Sequence, residues 1–161
     1  MRKLTSEQKF LLALRLCLAW VFLYAASHQV LVKGWSIAGF LNSTKTFHWF
    51  YGAIAHSSLV PLLTFLVEYG HLLIGLSLLV GLFVRVSAGF GIFLMLTYWT
   101  AHMDFPYIGG PLNFLIDEHI VYALVLGLLI VRRAGHIVGL DEWVAQRHLF
   151  DRVPLVHWAS A

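Results

Sequence analysis

Four apolar stretches, near residues 11–32, 59–83, 87–106 and 112–131, leave this chain few ways to fold. Each is close to the roughly 20 residues that a helix needs to cross a bilayer. Inside hydrocarbon every backbone N–H and C=O must be satisfied within the protein, so such stretches become helices. The expected fold class is all-α: an integral membrane four-helix bundle. Composition agrees, because only 12% of the 161 residues are charged, against about a quarter in an ordinary soluble domain. The first stretch carries Arg15 and lacks a clear small-residue cleavage site. It reads as a retained helix rather than a signal peptide.

The positions of the basic residues predict orientation. Arg2, Lys3 and Lys9 precede the first stretch, Arg85 lies between the second and third, and Arg132, Arg133, Arg147 and Arg152 follow the fourth. With four spans all of these fall on one side, opposite Lys33 and Lys45. The excess of Lys and Arg in cytoplasmic segments puts both termini in the cytoplasm of a multi-pass protein of the cell membrane. The net charge of +3 therefore reports topology. No basic cluster is dense enough for a nucleic-acid partner. The single cysteine, Cys17, excludes an internal disulfide and a Cys-based zinc site.

The segment from Gly34 to Ser58 then faces outward. Trp35, Phe40, Phe47, Trp49, Phe50 and Tyr51 make it too aromatic for a solvated linker. It is expected to be an interfacial aromatic loop between the first two spans, in contact with membrane lipid. One membrane domain over residues 1–143 and a cytoplasmic C-terminal tail over 144–161 complete the organisation.

Ionisable side chains inside a membrane are costly and mark working sites. At about 1.5 Å per residue, Glu68 lies roughly 5 Å outside the midplane and His71 near it. His28 and His102 lie roughly 9–10 Å outside, and Glu118 with His119 roughly 5–6 Å outside. All intramembrane acids and histidines thus fall in the outer half. Glu68 and His71 share a helix face, as do Tyr98 with His102 and Glu118 with Tyr122. Trp99 offers ring surface at the same depth. Glu68, His71, Glu118 and His119 are the candidate catalytic groups. His28, Tyr98, Trp99, His102 and Tyr122 are the candidate cofactor-binding ones. Asp117 reads as a helix-start or loop residue. Arg15, alone in the inner half, is expected to snorkel to the cytoplasmic headgroups.

A quinone fits this layer, because its reduction needs an apolar pocket and proton carriers, which carboxylate and imidazole supply. Glu68-x-x-His71 is also half of the motif of di-iron bundles. The second half is missing, and no metal ligand set is assigned. A haem or non-haem metal at the histidines stays open. So does a non-catalytic reading, in which the polar layer holds together an assembly subunit of a larger membrane complex. A bundle of this size also suits self-association. Four spans without inverted repeats or broken helices argue against a secondary transporter.

The ordered set LLALRLCLAWVFL with Arg15, EYGHLLIGLSLLVGLFVRVSAGF with Glu68, Gly75, Gly81 and Arg85, NFLIDEHIVYALVLGLL with Asn113 and Glu118, and AGHIVGLDEW with Gly139, Leu140 and Asp141 resembles the DoxX/DoxD family. The resemblance covers most of residues 10–143, and the third segment is closer to DoxD. It implies the membrane subunit of a thiosulfate:quinone oxidoreductase, which oxidises thiosulfate to tetrathionate and passes electrons to quinone. It also implies a second, DoxA-like subunit, supplied as another chain.

Overall fold

The computed structural model describes residues 3–108, 113–147 and 158–160. Arg2 and Arg152, the predicted start of the fourth span and most of the predicted tail lie outside the described residues.

Three helices are long and apolar enough to cross a membrane: α1 (Ser6–Val30), α4 (Val60–Val80) and α5 (Val84–His102). A fourth apolar helix, α6 (Glu118–Val131), is shorter at 14 residues. The boundaries follow local chemistry. Thr5 caps α1, its hydroxyl accepting from the Gln8 N–H while the Gln8 side chain accepts from the Thr5 N–H. Gly81, at φ 69°, ends α4 in the left-handed conformation that favours glycine. α5 stops four residues before the expected 106 because Met103 and Asp104 turn out into an antiparallel pair with Tyr107 and Ile108, β1 and β2. α6 starts six residues after the expected 112. Asp117 is its N-cap and accepts from the N–H groups of His119 and Ile120. Glu118 and His119 therefore stand in the first turn of α6 rather than deep within a span.

α1 packs along α4, and α5 along α6, around a core that includes Phe22, Ile74, Leu78, Ala88, Met95 and Leu126. Small residues permit the approach. A Cβ on Gly75 would sit 2.7 Å from Leu23 Cγ, and one on Gly91 2.9 Å from Leu126 Cδ1. α4 and α5 diverge more and leave an apolar groove of about 790 Å³ between them.

The expected aromatic loop is largely helical. α2 (Ala38–Asn42) and α3 (His48–Ala55) turn Ile37, Leu41 and Tyr51 onto Ala101 of α5 as a second small core. The Tyr51 hydroxyl lies 2.6 Å from Thr100 Oγ1. Burial of this face overrides the loop expected from aromatic content, while Phe47, Trp49 and Phe50 stay exposed.

Arg15 does not snorkel. It is 1% exposed, and its Nη1 donates to the carbonyls of Ala134 (2.6 Å) and Ile137 (3.0 Å), its Nη2 to Val138 (3.1 Å). Those carbonyls belong to a turn, a 3-10 segment Ala134–His136 and the chain after it, that closes over the end of the bundle before α7 (Leu140–Gln146). Asp141, at the start of α7, accepts from the N–H groups of Phe83 (2.7 Å) and Val84 (3.2 Å), which begin α5. Burial pushes the Asp141 carboxyl above its ordinary range. The two N–H groups and the charges of His136 and Arg15 oppose that shift. Three glycines clear the space. A Cβ on Gly81 would lie 2.7 Å from Arg15 Nη1, one on Gly139 2.2 Å from Gly135 O, and one on Gly135 1.9 Å from Asp141 Oδ2.

This end also carries Lys3, Lys9, Arg85, Arg132, Arg133 and Arg147, and an ion pair joins Arg132 to Glu7. The end of the chain returns to it: Arg85 Nη1 donates to Trp158 O, and His136 Nε2 lies 2.6 Å from Ser160 O.

Removing the guanidinium leaves three carbonyls and Asp141 without their cation. Arg15→Met is expected to lower the stability of the detergent-purified protein by about 3–5 kcal/mol. Gly135→Ala is expected to lower Tm through the contact with Asp141. Gly89→Ala, which meets nothing within 4 Å, is not. Thermal melts of the three variants check this.

Candidate functional site

At the other end of the bundle, rings from α4, α5 and α6 meet. Tyr98 on α5 is the hub. His71 of α4 stacks on it, with centroids 5.7 Å apart and planes at 18°. His119 of α6 stands edge-on to it at 5.9 Å. His102, one turn along α5, stacks on His119 at 5.1 Å and 26°. Phe40 of α2 covers Tyr98 and His102 at 5.2 and 5.1 Å. Phe22 of α1 closes the far side of His71 at 5.8 Å.

The order runs from core to surface. His71 is 2% exposed, His119 is half-buried, and His102 is exposed. Each imidazole is oriented through Nδ1. Those of His71 and His102 donate to the carbonyls one turn back, Val67 O and Tyr98 O, both at 2.8 Å. That of His119 donates to Asp117 Oδ2 at 2.7 Å. Carbonyl and carboxylate only accept, so Nδ1 carries the proton in all three rings. The three Nε2 atoms make no hydrogen bond among the described residues. Gln29 of α1 is near the Tyr98 hydroxyl, and its buried Oε1 has no hydrogen-bond partner among the described residues.

Four of the residues singled out in the sequence, His71, Tyr98, His102 and His119, thus come together. The others do not join them. Glu68 is half-buried on α4 and makes no hydrogen bond or ion pair among the described residues. It shares a helix face with His71 but does not bond to it. Glu118 is exposed. His28 is exposed on α1 and lies tilted against Tyr24, with centroids 4.5 Å apart and planes at 53°. Trp99 donates from Nε1 to Leu115 O at 2.9 Å and so ties α5 to the chain before α6. Tyr122 packs against the main core.

Sequence reasoning gave Asp117 only its helix-start role and missed its hold on His119. The pattern Asp-x-His at a helix start carried that signal. Gln29, a polar residue near the outer end of the first span, was equally visible. Nothing local marks Phe40, which reaches the cluster through the fold of α2.

Comparison with known proteins bears on the same helices. The DoxX family model matches residues 10–103, more than half of the chain. The chain belongs to the DoxX family. No curated protein and no solved structure matches it. The matched region of this DoxX protein holds most of α1 and all of α2 to α5, and with them Arg15, Glu68, His71, Tyr98 and His102. Family membership and three span-length apolar helices together make it a membrane protein.

Asp117 serves both α6 and His119. Asp117→Ala is expected to lower stability by about 1–2 kcal/mol through the lost cap. Asp117→Asn, which can still cap, is expected to recover most of it. Denaturation of the purified variants in detergent separates the two.

Proposed function

We propose that the protein is the membrane subunit of a quinone-linked oxidoreductase of the DoxD type. The observation that carries this reading is the run of protonatable rings from buried His71 through Tyr98 to half-buried His119 and exposed His102. Quinone reduction consumes two electrons and two protons. Imidazole and phenol side chains in contact, graded from core to surface, are suited to deliver those protons. Glu68, half-buried on α4 and without a partner among the described residues, is a second proton carrier for the same layer.

The groove between α4 and α5 supports the choice of a lipophilic substrate. Its lining is almost wholly apolar and includes the rings of Phe65, Tyr69, Phe90 and Phe93. It also includes Val67 and Ile74, which flank His71 along α4. A quinone entering from lipid at this level approaches the His71–Tyr98 stack with its tail along the groove.

In this reading α1, α4, α5 and α6 are the four spans of a bundle in the cell membrane. The basic end, with both termini, is cytoplasmic, and α2 and α3 lie in the outer interface. Electrons come from thiosulfate, two of which join as tetrathionate with release of two electrons. A second, DoxA-like subunit or a larger membrane complex provides that step, and a homo-oligomer is compatible with it.

Mass spectrometry of the gently purified protein is expected to find a stoichiometric quinone. His71→Gln and Tyr98→Phe are expected to weaken its retention at least tenfold, about 1.4 kcal/mol. Glu68→Gln is expected to suppress quinone turnover in a folded protein. Full turnover in that variant removes Glu68 from the mechanism. Absence of quinone, with tightly held partner chains instead, replaces this reading with an assembly subunit whose polar layer only joins helices.

A further inference from the structure

His136 sits in the turn that Arg15 holds over the basic end of the bundle, and both of its ring nitrogens are engaged. Nδ1 lies 2.8 Å from Glu142 Oε2 and Nε2 lies 2.6 Å from Ser160 O. Carboxylate and carbonyl oxygens only accept, so both nitrogens must donate at once. A neutral imidazole carries one N–H and cannot do this, whereas an imidazolium carries two. Gln146 Nε2 donates to the other Glu142 oxygen at 2.7 Å, so both oxygens of that carboxylate accept. In His71, His102 and His119 only Nδ1 is bonded among the described residues.

The imidazolium holds the segment 158–160 against the bundle. Ala159 and Ser160 are buried there. Arg85 holds the same segment: it donates to Trp158 O at 3.3 Å, and its guanidinium lies 5.7 Å from the centre of the Trp158 ring. Arginine keeps its charge at any working pH, but histidine does not.

The charged groups around His136 come from every element packed on its turn. Glu142 of α7, Glu7 of α1 and Arg132 and Arg133 after α6 line one recess with it. Arg85 of α5 and Asp141 of α7 line a second. Arg15 of α1 donates to the carbonyls of Ala134 and Ile137 on either side of it. Arg132 is paired with Glu7, and Arg133 is exposed. Of these groups, Glu142 alone bonds directly to the ring, and it favours the proton.

We infer that His136 is a protonation-dependent clasp, which fastens segment 158–160 to the basic end of the bundle and lets it go as pH rises. The second N–H is present at acid pH. Its loss removes one of the two bonds, and the neutral ring then keeps either Glu142 or Ser160. One linked proton changes the ratio of docked to free segment by at most about tenfold per pH unit. The turn stays in place, because Arg15 holds its carbonyls without help from His136. Release therefore uncovers Arg85 and leaves the bundle folded. The clasp goes beyond the quinone reading and does not depend on it.

The test is 19F NMR of the full-length chain in detergent, labelled with 5-fluorotryptophan, from about pH 5.5 to about pH 9, a range that brackets ordinary imidazole titration. The signal lost in Trp158→Phe assigns Trp158. That signal is expected to move from a docked to a free position as pH rises. His136→Gln cannot donate in both directions, and its Trp158 signal should stay at the free position throughout. Glu142→Gln keeps an acceptor but loses the charge, so its midpoint should fall by roughly a few tenths of a pH unit. Glu142 is exposed, so its variant remains informative if His136→Gln does not fold. A wild-type signal that does not move overturns the inference. So does movement retained in His136→Gln, or an unchanged midpoint in Glu142→Gln. Quinone retention is decided by its own measurement in every case.

Discussion

A buried guanidinium anchors the basic end of the bundle. Burying a cation is expensive unless hydrogen bonds and charge surround it. Arg15 meets that demand with three carbonyls from the turn after α6 and with the nearby carboxylate of Asp141. Asp141 in turn holds the first N–H groups of α5. Four chain segments that are distant in sequence are thereby tied at one level. Gly81, Gly135 and Gly139 occur where any Cβ would collide with this arrangement. The Nε of Arg15 has no partner among the described residues, so among them even this anchor is not fully satisfied. Left-handed backbone at Phe83, Arg133 and Val138 accompanies it. For residues with a side chain that conformation costs about 1–2 kcal/mol each, which the anchor must offset.

The ring cluster depends on that anchor although it lies far from it. Tyr98 is 14 residues along α5 from Val84, or roughly 21 Å. Rigid helices carry the register set at one end to the other. His71 and Tyr98 stack only if α4 and α5 keep their relative height, and His119 reaches Tyr98 only if α6 does. Rings from three helices therefore come within stacking distance without a bond that directly joins His71 to His119.

The sequence reveals helices better than it reveals their rotation. Hydropathy located α1, α4 and α5 to within a few residues, because each must satisfy its backbone internally. It overran α6 because Phe114, Leu115 and Ile116 are apolar enough to extend the stretch, whereas the chain needs a cap and takes it at Asp117. Glu118 and His119 are neighbours in sequence, yet only His119 turns inward. Nothing in a single sequence decides which of two adjacent residues does so. Arg15 was misread for a related reason. Its partner carbonyls lie 119 to 123 residues away, and a local view offers it only the headgroups. The resemblance to DoxX/DoxD spanned residues 10–143, and the family match covers the part through Met103.

The brevity of α6 has a consequence for the membrane itself. Fourteen residues rise about 21 Å, well short of a hydrocarbon core of about 30 Å. Lipids beside a short hydrophobic segment thin to meet it, at a cost that grows with each ångström of mismatch. If α6 is the fourth span, as in the proposed reading, the bilayer surface beside it dips toward Asp117 and His119 and brings water to residues that a flat membrane would cover.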